Sequence, residues 1–297
     1  MSADIFIQHL INGLSLGSLY ALIAIGYTMV YGILLLINFA HGDVFMMAGY
    51  FMLVTMAGLG LPVYVSVPLV LLMTVILGAL LEKAAYKPLR DAPRMSIMIS
   101  AIGASYLLEN LAIYIFTGVP KGYPNIPFLT RVVNFGAVSF QIVTVVTPII
   151  TVAILIGLMF LVHHTKMGMA MRAVSKDYET ARLMGIKINR VISVTFGIGS
   201  FLAAIGSVLW GAKYPSIFPL VGMMPGLKCF IAAVFGGIGN IPGAVLGGLI
   251  LGISEPMLIA FFPKMTGYRD AFAFALLIIM LIVKPSGLLG EKTTDKV

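Results

Sequence analysis

Long apolar runs alternate with short polar interruptions along this chain, and the runs are too long for the core of a soluble domain. Residues Ile5 to Ile37 carry no Lys or Arg. As one helix that run is roughly 50 Å long, against a hydrocarbon core of about 30 Å. It must tilt strongly, break, or hold more than one segment. Gly13, Gly17, Gly26 and Gly32 offer places for a break or for close helix contact. The polar knot Asn38-Phe-Ala-His-Gly-Asp43 then precedes an apolar run from Val44 to Leu61. Pro62 opens another, which ends at Leu81.

A basic stretch follows, Glu82 to Arg94, and then the apolar run Ile97 to Phe116. Gly118 to Gln141 is mixed, with prolines early and an alternation around Asn134-Phe-Gly136 that predicts a small hairpin. Ile142 to Val162 leads to the most polar stretch, His163 to Arg190. Val191 to Trp210 runs back, and Lys213 to Phe218 is a short connection. Gly222 to Ile259 is apolar but dense in glycine, which predicts two shorter helices around an irregular turn within Phe235 to Gly243. Phe262 to Arg269 links to a last run ending at Val283, and Lys284 begins a polar tail. The pattern amounts to roughly eight or nine spans.

Composition agrees. Only 10% of the residues are charged and 60% are hydrophobic, whereas soluble domains are about 25% charged. The backbone must satisfy itself in lipid, so the spans are helices or a closed barrel. Runs of about 20 apolar residues fit helices, since a barrel alternates over roughly 10. The expected fold is an all-α polytopic transmembrane bundle forming a single domain over residues 1–297, with an inner loop, 163–190, and an outer loop, 118–141. The net charge of +8 would suggest nucleic acid in a soluble protein. Here ten of the nineteen Lys and Arg lie in the two basic stretches. They mark the cytoplasmic side and imply no nucleic-acid partner. No cation before Lys83 reports on the N-terminal side. MSADIFIQHL lacks the positive region of a signal peptide and reads as the start of the mature chain. The lone Cys229 rules out an internal disulfide or a Cys-based metal site.

Within the inner loop, Lys166 to Val174 predicts a short helix. Asp177 predicts a cap for a second helix, Tyr178 to Met184, and Gly185 the residue of positive φ that ends it. Tyr178, Ala181 and Met184 share a face. With the small Ala181 and Gly185, they form a surface that another protein's groove could approach. The competing reading is an amphipathic loop lying on headgroups. Asp43, Glu109 and Glu255 are acids within or beside apolar runs, where an ionised side chain costs about 2.5–3.5 kcal/mol. Each either lines a transport path or is a partnered structural group, with Glu255-Pro256 marking a helix end in the second case. Asn38, His41, Asn110 and Asn240 complete the path candidates. His41 and Asp43 alone make no metal set. NFAHGDVFMMAGYF and FGGIGNIPGAVLGGLI each place a polar, glycine-rich break between apolar runs, which suggests an inverted repeat with broken helices. No Walker A, GxSxG, HExxH or CxxC pattern is present. Gly290-Glu-Lys292-Thr lacks the Gly-Lys pair, so this chain is not read as an enzyme.

Gly17-SLYALIAIGYTMVYG32, Ile37-NFAHGD43, Met171-RAVSKDYETARLMGI186, Phe235 to Glu255 and Pro285-SGLLG290 together resemble the permease subunits of bacterial high-affinity branched-chain amino acid ABC importers, of the Liv-type H kind. The resemblance covers nearly the whole chain. It implies a bacterial inner-membrane protein paired with a second, different permease. Two ATPase subunits would hold ATP and Mg2+, and a periplasmic binding protein would deliver leucine, isoleucine or valine. It further implies an ATPase-coupling segment around Arg172, Ala173, Tyr178, Glu179, Ala181, Met184 and Gly185, with no cofactor in this chain. The alternative is an ion-driven carrier or channel for a small polar solute. Such a carrier would use the buried acids and would need no docking loop.

Overall fold

The computed structural model describes residues 3–90, 92–135 and 138–290. Gly136, at the centre of the expected hairpin, and the tail beyond Gly290, with Lys292, lie outside them. The first apolar run is one unbroken helix, α1 (Ala3–Leu34). Next come α2 (His41–Met52) with a π-helical extension (Leu53–Gly58), α3 (Val63–Leu81) and α4 (Arg94–Phe116). On one side, strand β1 (Lys121–Gly122), the single turn α5 (Pro127–Thr130) and the hairpin β2 (Val132–Phe135) and β3 (Val138–Gln141) lead into α6 (Ile142–His164). On the other side, the short helices α7 (Lys166–Lys176) and α8 (Tyr178–Leu183) precede α9 (Ile188–Lys213). Strand β4 (Ser216–Ile217), α10 (Met223–Gly236), α11 (Ile241–Phe261) and α12 (Arg269–Val283) complete the chain.

Seven helices are long and apolar enough to cross a membrane. The shorter helices α2 and α10, each preceded by a non-helical lead-in, lie among them. The basic stretch after α3 and the loop before α9 share a side, since Arg90 donates to Asn189 Oδ1. By the positive-inside rule that side is cytoplasmic. Gln8 lies at the opposite end: its Nε2 donates to the Ser139 carbonyl, 2.7 Å, in the outer hairpin. The N-terminus, undecided from the cations, is therefore external. The expected hairpin is present, with Val132 opposite Gln141 and Phe135 opposite Val138. A second outer pairing, β1 with β4, ties the connection after α9 to the loop after α4.

The glycines of α1 are contact points rather than breaks. Gly13, Gly17 and Ala21 fall on one stripe, four residues apart, against Gly248 and Gly252 of α11. A Cβ on Gly17 would lie 2.8 Å from Leu249 Cα, and one on Gly252 would lie 2.1 Å from Gly17 Cα. Lipid tails are as apolar as leucine, so helices gain in the bilayer by close backbone approach, which small residues permit.

The inverted repeat is real, but its pairing differs from the one the two glycine-rich motifs suggest. Helix α1 packs on α9, α10 and α11, while α9 packs on α1, α2 and α3. Exchanging α1–α4 for α9–α12 preserves this arrangement, and the two sets run in opposite directions across the membrane. The partner of the break at 35–40 is thus the lead-in at 214–222. Both end at helices that begin inside the membrane and meet there: a Cβ on Gly42 would sit 2.7 Å from the Gly222 carbonyl oxygen. The Gly237–Asn240 turn instead joins α10 to α11 at the cytoplasmic side, with Gly237 at φ +108° and Gly239 at φ +94°. The segment Pro285 to Gly290 is docked on it, Leu288 and Leu289 N–H donating to the Phe235 and Gly236 carbonyls at 3.0 and 2.9 Å.

Candidate functional site

The path candidates separate into distinct places. Asp43 enters α2 in its first turn, buried, and accepts from the Ser105 hydroxyl of α4. Asp43 and Glu109, the latter one turn beyond Ser105 on α4 and half-buried, line a cavity of about 170 Å³ that opens at the protein surface. Tyr27, Gly42, Gly226 and Phe230 complete its wall, so it lies where α2 and α10 meet. His41 lies behind it. Its ring packs edge-on to Tyr27, 4.6 Å between centroids, over Gly26. Only a glycine at position 26 leaves room for that ring, because a Cβ there would be 2.4 Å from Nε2.

The remaining candidates are elsewhere. Asn38 is buried near the cytoplasmic side and accepts from Tyr86 Oη at 2.8 Å, which pins the lead-in to α2. Asn240 caps α11, accepting from Gly243 N–H at 2.9 Å and donating to the Leu289 carbonyl. Asn110 is exposed and donates to the Tyr106 carbonyl of its own helix. Asn110 and Asn240 are thus not brought to that cavity, the first because 100° per residue turns it away from Glu109. Glu255 does not mark a helix end: Pro256 lies inside α11, where helix packing in lipid tolerates it.

Glu255 is buried, and Lys228 of α10 donates to its Oε2 at 2.9 Å. Lys228 also reaches Asp270 Oδ1, 2.7 Å, at the start of α12. Sequence reasoning passed over Lys228. A lone Lys within an apolar helix, with a lone Glu in the next, was the available signal. Glu82 was also missed. It is buried, paired with Arg90, and accepts from Ser193 Oγ at 2.9 Å, so the first basic stretch is tied to α9.

The inner loop has the expected local structure. Thr165 caps α7 by accepting from Gly168 N–H at 3.0 Å, and Asp177 caps α8 by accepting from Thr180 N–H at 3.0 Å. Gly185 takes φ +80°. Helix α7 is clamped to α6, since a Cβ on Gly168 would stand 2.2 Å from the Leu161 carbonyl oxygen. Arg172, Tyr178, Glu179, Met184 and Gly185 are exposed, and Ala173 is half-buried. Ala181 is buried and faces the protein's own core, so it does not share an outward face with Tyr178 and Met184. Its place outside is taken by Leu183, which sequence reasoning missed. Leu183 is 86% exposed and Met184 79%, two apolar side chains held in water beside a glycine.

Seven long apolar helices, two shorter helices that meet at their starts, and a capped inner helix pair define a multi-pass helical membrane protein. The chain belongs to the family described as "Branched-chain amino acid transport system / permease component", whose model matches residues 9–281. The "High-affinity branched-chain amino acid transport system permease protein BraD" of Pseudomonas aeruginosa is 40% identical over 98% of this chain and 98% of its own length. The permease protein LivH of the same description from Escherichia coli is 41% identical over 98% of both. The "Ribose import permease protein RbsC" of Haemophilus influenzae is 24% identical over 98% of this chain and 89% of its own.

Proposed function

We propose that this chain is the membrane-spanning permease subunit of an ATP-driven importer of branched-chain amino acids in the bacterial inner membrane. The observation that carries the reading is the inner element α7–α8. It is capped at both starts, clamped to α6, and presents Leu183, Met184 and Gly185 to water. An exposed apolar patch on a rigid mount is what a soluble partner can grip. That partner is an ATPase pair holding ATP and Mg2+. A second permease and a periplasmic binding protein complete the assembly. Closure of the ATPases pulls α7–α8 and passes force to α6 and α9, which lean on α1, α2 and α3. The two halves of the repeat then rock against each other around the meeting point of α2 and α10.

The test is purification of the chain from membranes with whatever accompanies it, followed by ATPase measurement with and without leucine-loaded binding protein. Recovery of an ATPase and a second permease, with stimulation by the loaded binding protein, is the expected result. A chain that purifies alone and moves solute on an ion gradient overturns it. Stimulation by a sugar rather than leucine changes the substrate, an outcome that the likeness to a ribose permease makes worth including.

A further inference from the structure

On the outer side a second cavity, about 390 Å³, lies between the N-terminal part of α1, the start of α6, the end of α9 and the outer half of α11. Its volume is that of a small-molecule site. Its lining divides by chemistry. Glu255, Lys213 and Arg269 bring charges of both signs, Asn12 is polar, and Leu16 and Ile259 supply an apolar wall.

The charges are incompletely used. Glu255 is 1% exposed. Its Oε2 accepts from Lys228 at 2.9 Å and from Tyr20 Oη at 3.4 Å, while Oε1 has no hydrogen-bond partner among the described residues. A buried carboxylate oxygen without a donor is unfavourable, and a cationic donor entering the cavity relieves it. Lys228 is already matched by two carboxylates, Glu255 and Asp270. Lys213 donates to Ser15 Oγ, 2.8 Å, and neither it nor Arg269 forms a salt bridge among the described residues. The lining thus brings to one cavity a buried carboxylate short of a donor, which a small side-chain turn would present to an ammonium, two cations for a carboxylate, and an apolar wall for a side chain.

We infer that this outer cavity is a binding site for an amino-acid zwitterion with an aliphatic side chain, with Glu255 taking the α-ammonium, Lys213 and Arg269 the α-carboxylate, and Leu16 and Ile259 the side chain. It deepens the function proposed above, rests on it, and places a receiving station for substrate within a single permease chain.

The experiment uses the assembled transporter in nanodiscs without binding protein. It measures binding of leucine, of 4-methylpentanoate, which lacks the ammonium, and of 3-methylbutylamine, which lacks the carboxylate. Leucine binds, and each analogue binds about tenfold or more weakly, the loss of a hydrogen bond to a charged group. Lys213→Gln weakens leucine and the acid but leaves the amine unchanged. Glu255→Gln weakens leucine and the amine but not the acid. A purely structural role for either residue does not produce that crossed pattern. Because Glu255→Gln also disturbs Lys228, Ile259→Trp provides an independent check: it fills the wall and abolishes leucine binding. Absence of leucine binding to the unaltered transporter, equal binding of the analogues, or unchanged leucine binding by Ile259→Trp overturns the site. Uptake driven by ATP and loaded binding protein is measured in parallel. Leucine uptake with a failed cavity test removes only the site, whereas no leucine uptake removes the function and the site together.

Discussion

Lys228 Nζ lies 2.9 Å from Glu255 Oε2, so a buried charge pair joins α10 to α11. Removing one member leaves the other as an uncompensated buried ion. Lys228→Met should destabilise the folded state by about 3–5 kcal/mol, whereas the double change Lys228→Met with Glu255→Met should recover most of it. Thermal unfolding in nanodiscs reads both. Asp270, whose side chain is half exposed, is screened and matters less. A single variant that melts like the parent would show that the pair carries no net charge interaction.

The α1–α11 contact has no room for a side chain at Gly252. Gly252→Leu must push the helices apart, at a cost of about 1–3 kcal/mol or more. Gly103, with open space around it on α4, serves as the control, and Gly103→Leu should leave stability unchanged. The check is the fraction of each variant that remains monodisperse in detergent after heating. Equal loss for both positions would remove the argument from close packing.

At the inner element the expected defect is in coupling. Gly185→Trp and Leu183→Asp alter exposed positions with no neighbour to clash with; Gly185→Trp also strains the φ +80° end of α8, so Leu183→Asp tests the surface alone. Both should insert normally and lose most leucine uptake and stimulated ATPase activity. Ala181→Asp should instead lower the amount of folded protein, because Ala181 is buried. Immunoblots of membranes beside uptake assays separate the two. Normal uptake by Gly185→Trp would sink the assignment of the docking surface.

Orientation can be read with thiols. The only native cysteine, Cys229, is fully buried, so a single introduced cysteine gives a clean signal. Ser139→Cys, beside the external hairpin, should react with an impermeant maleimide on intact cells whose outer membrane has been removed. Met184→Cys should react only after the inner membrane is opened. The reverse pattern would invert the topology.

Much of this architecture could be read from the residues because lipid leaves the backbone few options. The spans follow from apolar length, their sidedness from Lys and Arg in the two basic stretches, and the cap of α8 from Asp177, whose geometry is local. Local signals could not say where a face points once the helices pack. Ala181 and Leu183 differ by only two residues, yet one is buried and the other is 86% exposed, because contact with α9 selects the inward face of a helix too short to show a period.

The polar groups divide in the same way. Asp43 and Glu109 are 66 positions apart in numbering and share one cavity only because α2 begins inside the membrane beside α4. Asn110, adjacent to Glu109, is excluded by helical rotation. The glycine-rich motifs were visible as motifs, but their partners were not: FGGIGN pairs with Pro285 to Gly290, and the break before α2 pairs with the lead-in to α10. A helical membrane protein, the shared side of the two basic stretches, the Asp177 cap and the Gly185 ending of α8 are legible in the residues, since they depend on solvent and on neighbours within a turn. Packing is what brings Lys228 to Glu255, turns Ala181 inward, and sets the starts of α2 and α10 against each other. Those depend on distances between segments far apart in the chain, and no local pattern encodes them.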